Sequence, residues 1–158
     1  MSDQTIAAGK TLPEFSAPST HGMFSLSEYK GKILIVYFYP RDNTPGCTQQ
    51  ALAFRDNLEE FEKLGATIVG VSRDNMTSHQ SFAKKFDLPF ALIFDTDENI
   101  CSLFDVIKTK KHYGRLVQGI ERSTFLIDKS GRLVKEWRRV KVDGHIEDVL
   151  QTIRNMPD

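Results

Sequence analysis

The chain has 158 residues, of which 40% are hydrophobic and 27% are charged, and its 21 Lys and Arg balance its 21 Asp and Glu. This size and composition predict one globular domain, residues 1–158, that buries a single core. The zero net charge gives no argument for nucleic acid as a partner. No apolar run approaches the roughly 20 residues of a membrane span. The start, "MSDQTIAAGK", lacks the pattern of a secretory signal, so we expect a cytoplasmic protein with residues 1–8 loosely ordered.

The first predicted elements form a strand–helix–strand unit behind an N-terminal extension. "EFSAPSTHGMFSLSEYKGK" carries Pro, Gly and Ser breakers, which predict a hairpin or irregular strands and then a short helical turn at residues 25–29. "ILIVYFYP", residues 33–40, is apolar on both faces and predicts a central strand. A helical pattern over residues 45–64 and a strand at 66–73 follow. Such a crossover is nearly always right-handed.

The second half of the chain continues the alternation and ends in an antiparallel hairpin. The predicted elements are a helix at 77–86, a strand at 90–95, a helix at 98–104, strands at 123–128 and 133–140, and a helix at 145–156. "KSGR" predicts the tight turn between the last two strands. The order predicts an α/β, thioredoxin-like fold. Its mixed central sheet would be flanked by helices on both faces, with the N-terminal hairpin as an extension.

The chain contains only two cysteines, Cys47 and Cys101, and four scattered histidines. Two cysteines this far apart exclude a disulfide scaffold and a four-cysteine zinc site. The histidine spacings match no metal motif, so we expect neither a metal nor a cofactor. "KTKKHYGR", residues 108–115, is the one basic cluster, and we interpret it as a solvated loop rather than a nucleic-acid site.

Cys47 lies where a strand passes into a helix. Thr44 is a favoured N-cap and Pro45 suits the first helical position, which makes Cys47 the third residue of the helix. Because apolar residues recur from Cys47 at helical spacing, the thiol could simply fill the core. However, the first turn presents free backbone N–H groups that stabilise a thiolate, and Gly46 leaves the backbone beside the sulfur uncovered. Both interpretations stay open on these residues alone.

The segment "PRDNTPGCT", Pro40 to Thr48, resembles the peroxiredoxin active-site pattern P-x-x-x-T-x-x-C. Its flanks "YFYPRDNTPGCTQQALAFRDN" and the distant "KKHYGRLVQGIERSTFLIDKSGRLVKEW" are similar to the bacterioferritin-comigratory, or Q-type, members of that family. The resemblance extends from about residue 9 to residue 155. It implies a thiol peroxidase that reduces hydrogen peroxide and organic hydroperoxides.

The resemblance also implies a role for each matching residue. Cys47 would attack the peroxide and become a sulfenic acid. Thr44 would hydrogen-bond the thiolate and the peroxide, and Pro40 would shield the sulfur from water. Arg122 would stabilise the thiolate and polarise the peroxide. The N–H groups of Gly46 and Cys47 would complete a cradle for the charge developing on oxygen.

The sequence departs from the Q-type pattern in its second cysteine. Leu52 stands at the position five residues after Cys47 where many members carry a resolving cysteine, and residues 81–85 contain none either. Cys101 has apolar neighbours, so we interpret it as structural. The resemblance therefore implies a one-cysteine cycle completed by an external thiol, namely thioredoxin, glutaredoxin or a low-molecular-weight thiol.

Two other functions share this fold. One is a redox sensor that accumulates sulfenic acid without turnover, and the other is a chaperone or binding protein in which Cys47 is vestigial. Only the reactivity and recycling of the thiol discriminate between them and the peroxidase. The closing helix and the ordinary surface composition favour a monomer.

Overall fold

A computed structural model of the chain describes residues 6–157. Within these residues, the α-helices are α1 to α5: Pro45–Asp56, Leu58–Lys63, Met76–Lys85, Asn99–Leu103 and His145–Arg154. The strands are β1 to β9: Ser16–Ser19, Gly22–Ser25, Ile33–Phe38, Ala66–Ser72, Ala91–Phe94, Ile107–His112, Arg115–Ile120, Ser123–Ile127 and Leu133–Trp137. A 3₁₀ helix, Leu26–Tyr29, follows β2.

Seven of these strands form one mixed sheet in the order β2-β1-β5-β4-β3-β8-β9. Strands β3, β4 and β5 are parallel, and β1 and β8 join them antiparallel on either side. Strand β9 pairs antiparallel with β8 as the predicted terminal hairpin. The predicted thioredoxin-like α/β fold is confirmed, and the predicted N-terminal hairpin, β1–β2, extends one edge of the sheet.

Strand β3 lies inside the sheet, between β4 and β8, and all six of its side chains are buried. Alternate residues point to opposite faces of a strand, so an all-apolar strand supplies two cores. Leu34, Val36 and Phe38 belong to the core on one face. Ile33, Ile35 and Tyr37 belong to the core on the other.

The two cores are covered by different elements. The first face packs against the N-terminal segment, the 3₁₀ helix and α4, which contributes Ile100 and Cys101. The second face packs against α1, α2, α3 and α5, and its members include Cys47, Phe54 and Phe82. The two cysteines of the chain therefore lie on opposite faces of the sheet.

The predicted continuous helix over residues 45–64 is wrong, because the structure divides it into α1 and α2 at Asn57. The Asn57 side-chain amide donates to the carbonyl of Ala53 at 2.8 Å. Asparagine side chains compete in this way for backbone groups that would otherwise continue a helix. The break lets the second helix turn its Phe61 into the core on the second face.

The interpretation of residues 108–115 as a loop is also wrong. Strands β6 and β7 pair antiparallel and form a separate two-stranded sheet. Ile107 is opposite Ile120 at one end, and His112 is opposite Arg115 at the other. Tyr113 and Gly114 make the two-residue turn, with φ angles of 52° and 77°, as a type I′ turn requires. Apolar and polar residues do not alternate here, because most of these side chains are solvated on both faces of the hairpin.

The described part of the chain begins at Ile6. Residues 1–5 lie outside the described residues, so the prediction of a loose start is examined only from Ile6, which packs against the core on the first face. None of the helices in residues 6–157 combines the length and apolar character needed to cross a bilayer.

Candidate active site

Cys47 is the third residue of α1, as predicted, and its side chain is only 2% exposed. The first backbone N–H with a partner within the helix is that of Thr48, which donates to Thr44 at 2.9 Å. The N–H groups of Gly46 and Cys47 come earlier and have no acceptor within the helix. The sulfur therefore lies in the first turn, where the helix dipole favours a negative charge.

Thr44 occupies the predicted N-cap position, but its side chain does not cap the helix. Its hydroxyl instead donates to the carbonyl of Arg41 at 2.8 Å. This bond closes the loop that precedes the helix and uses the only proton of the hydroxyl. The oxygen of Thr44 keeps its capacity to accept a hydrogen bond.

Arg122 reaches Cys47 from the short connection between β7 and β8. Its Nη2 lies 3.5 Å from the Cys47 Sγ and is the donor of this contact. A Cβ placed at Gly46 would lie 3.1 Å from the same nitrogen, so only a glycine lets the guanidinium approach the helix this closely without displacement. Gly46 thus makes room for an arginine as well as exposing backbone.

Gln50 holds the other side of the guanidinium and is a residue that the sequence analysis missed. Arg122 Nη1 donates to Gln50 Oε1 at 2.6 Å, and the Gln50 side chain is fully buried. Gln50 follows Cys47 by one helical turn, so both side chains lie on the same face. A polar residue between the apolar positions Cys47 and Ala51 was the available signal.

The contacts leave the charge of Arg122 without a carboxylate partner among residues 6–157. Its partners are a thiol and a neutral amide. The adjacent carboxylate, Glu121, faces Arg139 instead at 3.6 Å. A guanidinium is always charged in proteins, so Arg122 can stabilise negative charge that develops at the Cys47 sulfur or on a bound oxygen.

Tyr37 and Gln50 add buried polar atoms to this region. The Tyr37 hydroxyl and the Gln50 Nε2 have no hydrogen-bond partner among the described residues. Burial raises the pKa of Tyr37 well above its usual value, and the nearby Cys47 raises it further. Tyr37 is therefore a neutral donor whose charged form is strongly disfavoured.

The loop before α1 is fixed by a buried network centred on Asp42, a second site that the sequence analysis missed. Asp42 accepts from the Tyr39 hydroxyl at 2.6 Å and from the Ser78 hydroxyl at 2.8 Å. His79 Nδ1 lies 2.7 Å from Asp42, and its Nε2 lies 2.8 Å from the Ile93 carbonyl. The network ties residues 40–44 to α3 and β5.

Asp42, Asp74 and His79 are also close enough together to be considered as metal ligands, since their ligand atoms lie within 4.8 Å of one another. Each of them already has hydrogen-bond partners within the protein. Asp74 accepts from the Ser72 hydroxyl at 2.6 Å and from the Asp42 N–H at 2.9 Å. We therefore interpret the cluster as an anchor for the loop.

Cys101 lies on the other face of the sheet from Cys47. It is fully buried in the core on the first face, at the start of α4. Its backbone N–H donates to Asp95 at 2.6 Å. Burial raises the pKa of the Cys101 thiol, and the hydrogen bond and negative charge of Asp95 raise it further. The structure thus places the predicted structural cysteine in an apolar, inaccessible position.

The structure brings together three of the five predicted site residues: Cys47, Gly46 and Arg122. Thr44 begins the same helix but bonds to Arg41. Pro40 is exposed and lies with Arg122 along a groove that continues towards β6 and the segment after β9. A small molecule in this groove can contact the guanidinium that lies beside the sulfur.

The arrangement matches a known protein family. The family model described as the AhpC/TSA family matches residues 8–136. "Peroxiredoxin Bcp" of Bacillus subtilis (strain 168) is 49% identical over 155 residues, which cover 98% of this chain and 99% of the relative.

Solved structures give the same result. The PrxQ C47S mutant of Xylella fastidiosa is 44% identical with a TM-score of 0.90, and the match covers 94% of this chain and 96% of that one. The bacterioferritin comigratory protein of Xanthomonas campestris, whose structures concern its alkyl peroxide reduction activity, is 46% identical with a TM-score of 0.85. That match covers 89% of this chain and 90% of the other.

Proposed function

This chain belongs to the AhpC/TSA family and is a Q-type peroxiredoxin, a thiol peroxidase, and we propose that Cys47 is the residue that reacts with the peroxide. The contact of 3.5 Å between Arg122 Nη2 and Cys47 Sγ carries this proposal. It supplies a fixed positive charge at a buried sulfur that already lies in the first turn of a helix. Both features favour the thiolate, which is the nucleophilic form.

The first half of the cycle oxidises the sulfur. The Cys47 thiolate attacks the terminal oxygen of the hydroperoxide, an S–O bond forms and the O–O bond breaks. The protein holds a sulfenic acid, and the leaving alkoxide or hydroxide takes a proton and departs as alcohol or water. Two electrons pass from sulfur to the peroxide.

The neighbouring groups stabilise the charge that moves onto oxygen in this step. Arg122 donates towards the peroxide from the side of the guanidinium not held by Gln50. The N–H groups of Gly46 and Cys47 donate from the helix, and Thr44 accepts the proton of the bound hydroperoxide. Pro40 limits the access of water. Fixed donors in a partly dry site act most strongly on such developing charge.

An external thiol completes the cycle in this proposal. The opposite-face positions of Cys47 and Cys101 support it, since an internal disulfide needs Cα atoms within about 7 Å. Thioredoxin, glutaredoxin and low-molecular-weight thiols are the candidate reductants, and hydrogen peroxide and organic hydroperoxides are the substrates. A single domain over residues 1–158, a monomeric state and a cytoplasmic location are parts of the same proposal.

The test is the intact mass after one equivalent of hydrogen peroxide without reductant, in the presence of a sulfenic-acid trap, for the wild type and for Cys47→Ser. We expect one trapped sulfenic acid on Cys47, a free Cys101, and loss of peroxidase turnover in Cys47→Ser. Loss of both thiols within one monomer would contradict the one-cysteine cycle. A sulfenic acid that no thiol recycles would indicate a sensor, and no reaction at all would indicate a binding protein.

A further inference from the structure

A groove of about 910 Å³ adjoins the candidate active site and carries a marked positive charge. Its walls come from β6, from the connection between β7 and β8, and from the segment that follows β9. The cationic side chains along it are Lys108, Lys110, Arg122, Arg138 and Arg139, and Glu121 is its only acidic side chain from residues 6–157. Because the whole chain has no net charge, this concentration is local.

The cations of the groove differ in how far they are already paired. Arg138 is structural, since it donates to Glu136 at 2.8 Å and to the Asp105 carbonyl at 2.6 Å. Lys108 contacts the exposed Asp105 at 3.2 Å. Arg139 pairs with Glu121 at 3.6 Å but is 87% exposed. Lys110 has no ion pair or hydrogen bond of its side chain within residues 6–157. Positive charge thus remains available to a ligand.

Two of these cations, Lys108 and Lys110, lie on the same face of β6. Residues two apart in a strand point to the same face, so Lys108 and Lys110 both face the groove. Lys111 is the next residue, is equally exposed, and does not line the groove. The chain therefore contains its own matched control for the charge of Lys110.

The groove includes the arginine that contacts the candidate reactive sulfur. Arg122 lines it and also lies 3.5 Å from the Cys47 sulfur. The volume is that of a site for a small molecule rather than for a peroxide of a few atoms. The thiol that resolves the Cys47 sulfenic acid must reach the same sulfur from outside, because Cys101 lies beyond the sheet.

We propose that this groove binds the carboxylates of a small anionic thiol and directs its sulfur to the Cys47 sulfenic acid. The inference rests on the proposed one-cysteine cycle and names the chemical class of its reductant. Lys108, Lys110 and Arg139 hold the carboxylates by charge, and Arg122 marks the end at which the thiol reacts.

The chemistry balances with two molecules of the thiol. The first attacks the sulfenic sulfur, an S–S bond forms, the S–O bond breaks, and the oxygen leaves as water with the thiol proton and the hydroxyl proton. The second thiol attacks the bound thiol's sulfur and releases Cys47 with a symmetric disulfide. The two thiols supply the two electrons that the peroxide removed.

The experiment compares glutathione, which carries two carboxylates, with its diethyl ester, which carries none. Cys47 is first oxidised with one equivalent of hydrogen peroxide, and the mixed disulfide is then followed by intact mass. We expect glutathione to react faster than the ester by about tenfold at low salt, with the difference shrinking at high salt. Lys108→Gln combined with Lys110→Gln should remove most of that advantage without changing the ester rate or the oxidation step. Lys111→Gln should behave like the wild type.

Several results would overturn the inference. Equal rates for glutathione and its ester would show that the groove does not select carboxylates. If Lys111→Gln lost the same part of the rate advantage of glutathione, the effect would come from the overall charge of the protein and not from the groove. If the double variant slowed oxidation by a carboxylate-bearing hydroperoxide and left the glutathione step unchanged, the groove would admit the oxidant instead. Failure of wild-type Cys47 to form a sulfenic acid would overturn the proposed function as well.

Discussion

At the scale of single residues, the candidate site depends on one arginine held between a thiol and an amide. Gln50 positions Arg122 with a short hydrogen bond and adds no negative charge. A glutamate at this position would bind the guanidinium equally well and would also neutralise it. The charge of residue 50 therefore decides how much of the positive potential reaches Cys47.

Gln50→Glu is expected to slow the reaction of Cys47 with hydrogen peroxide by about tenfold at neutral pH, because Arg122 gains a carboxylate as its ion pair. Alkylation of Cys47 by iodoacetamide at the same pH should slow in parallel. Gln49→Glu is the control, since Gln49 is adjacent in sequence but exposed and turned towards Asp143. Unchanged rates in Gln50→Glu would show that the charge of this residue does not affect the thiol.

Gly46→Ala should separate activity from stability. The new methyl group would lie 3.1 Å from Arg122 Nη2, and the guanidinium must shift by a few tenths of an ångström. We expect kcat/KM for hydrogen peroxide to fall by about tenfold, since small displacements of a positioned group are costly. Thermal unfolding should be unchanged or slightly later, because alanine suits a helix better than glycine. A parallel fall in Tm would mean that the substitution disturbs the helix instead.

At the scale of elements, the site is built by the junction of β3 with α1 and by the connection between β7 and β8. The Asp42 network anchors the first of these to α3. Helix α5 contacts β8, the strand that follows the β7–β8 connection. His145 Nε2 of α5 lies 2.8 Å from the Thr124 hydroxyl of β8. Trp137 of β9 packs edge-on against the same histidine.

The contact of α5 with β8 predicts a pH-dependent stability. Burial lowers the pKa of His145 from 6.5 to about 4, and the positive charge of Arg122 acts in the same direction. The unfolded chain binds this proton below pH 6.5 and the folded chain does not, so stability is full above that pH and falls as the pH drops towards 4. Between neutral pH and pH 5, His145 is expected to lower the free energy of unfolding by about 2 kcal/mol.

Urea unfolding of the wild type and of His145→Asn at neutral pH and near pH 5 measures this contribution. The variant is expected to be less stable at neutral pH and to lose less stability on acidification than the wild type. An equal acid-induced loss in both proteins would assign the effect to other groups.

At the scale of the whole molecule, the central sheet separates the two thiols. Cys47 packs into the core on one face and Cys101 into the core on the other, so a disulfide between them within one chain would have to cross the sheet. In the proposed one-cysteine cycle, the recycling of Cys47 thus depends on access from outside, at the edge where the groove meets Arg122.

Cys101→Ser is expected to keep peroxidase turnover within about twofold of the wild type, because the residue is inaccessible and its thiol resists ionisation. The Tm should fall by a few degrees, since a hydroxyl replaces a thiol in an apolar core. Cys101→Ala serves as a second variant if the serine protein is too unstable. Loss of turnover in both folded variants would assign a catalytic part to Cys101.

The sequence by itself determined the order of most elements, the interior position of β3 and the helix start at Pro45 that makes Cys47 the third helical residue. These features follow from local chemistry, namely apolar runs, a threonine–proline helix start and turn residues. The division of the helix at Asn57 was not predicted, because it depends on a hydrogen bond of the Asn57 side chain. The β6–β7 hairpin was not predicted either, because its strands are solvated and are joined by a type I′ turn.

Only the tertiary structure decided which distant groups meet. Gln50 and Arg122 are 72 positions apart in the chain and come within 2.6 Å, and no local pattern encodes such a contact. The basic residues of β6 were visible in the sequence, but their place beside Arg122 depends on where the hairpin attaches to β8. The separation of Cys47 from Cys101 likewise follows from the sheet between them, because packing on two faces is a property of the folded chain.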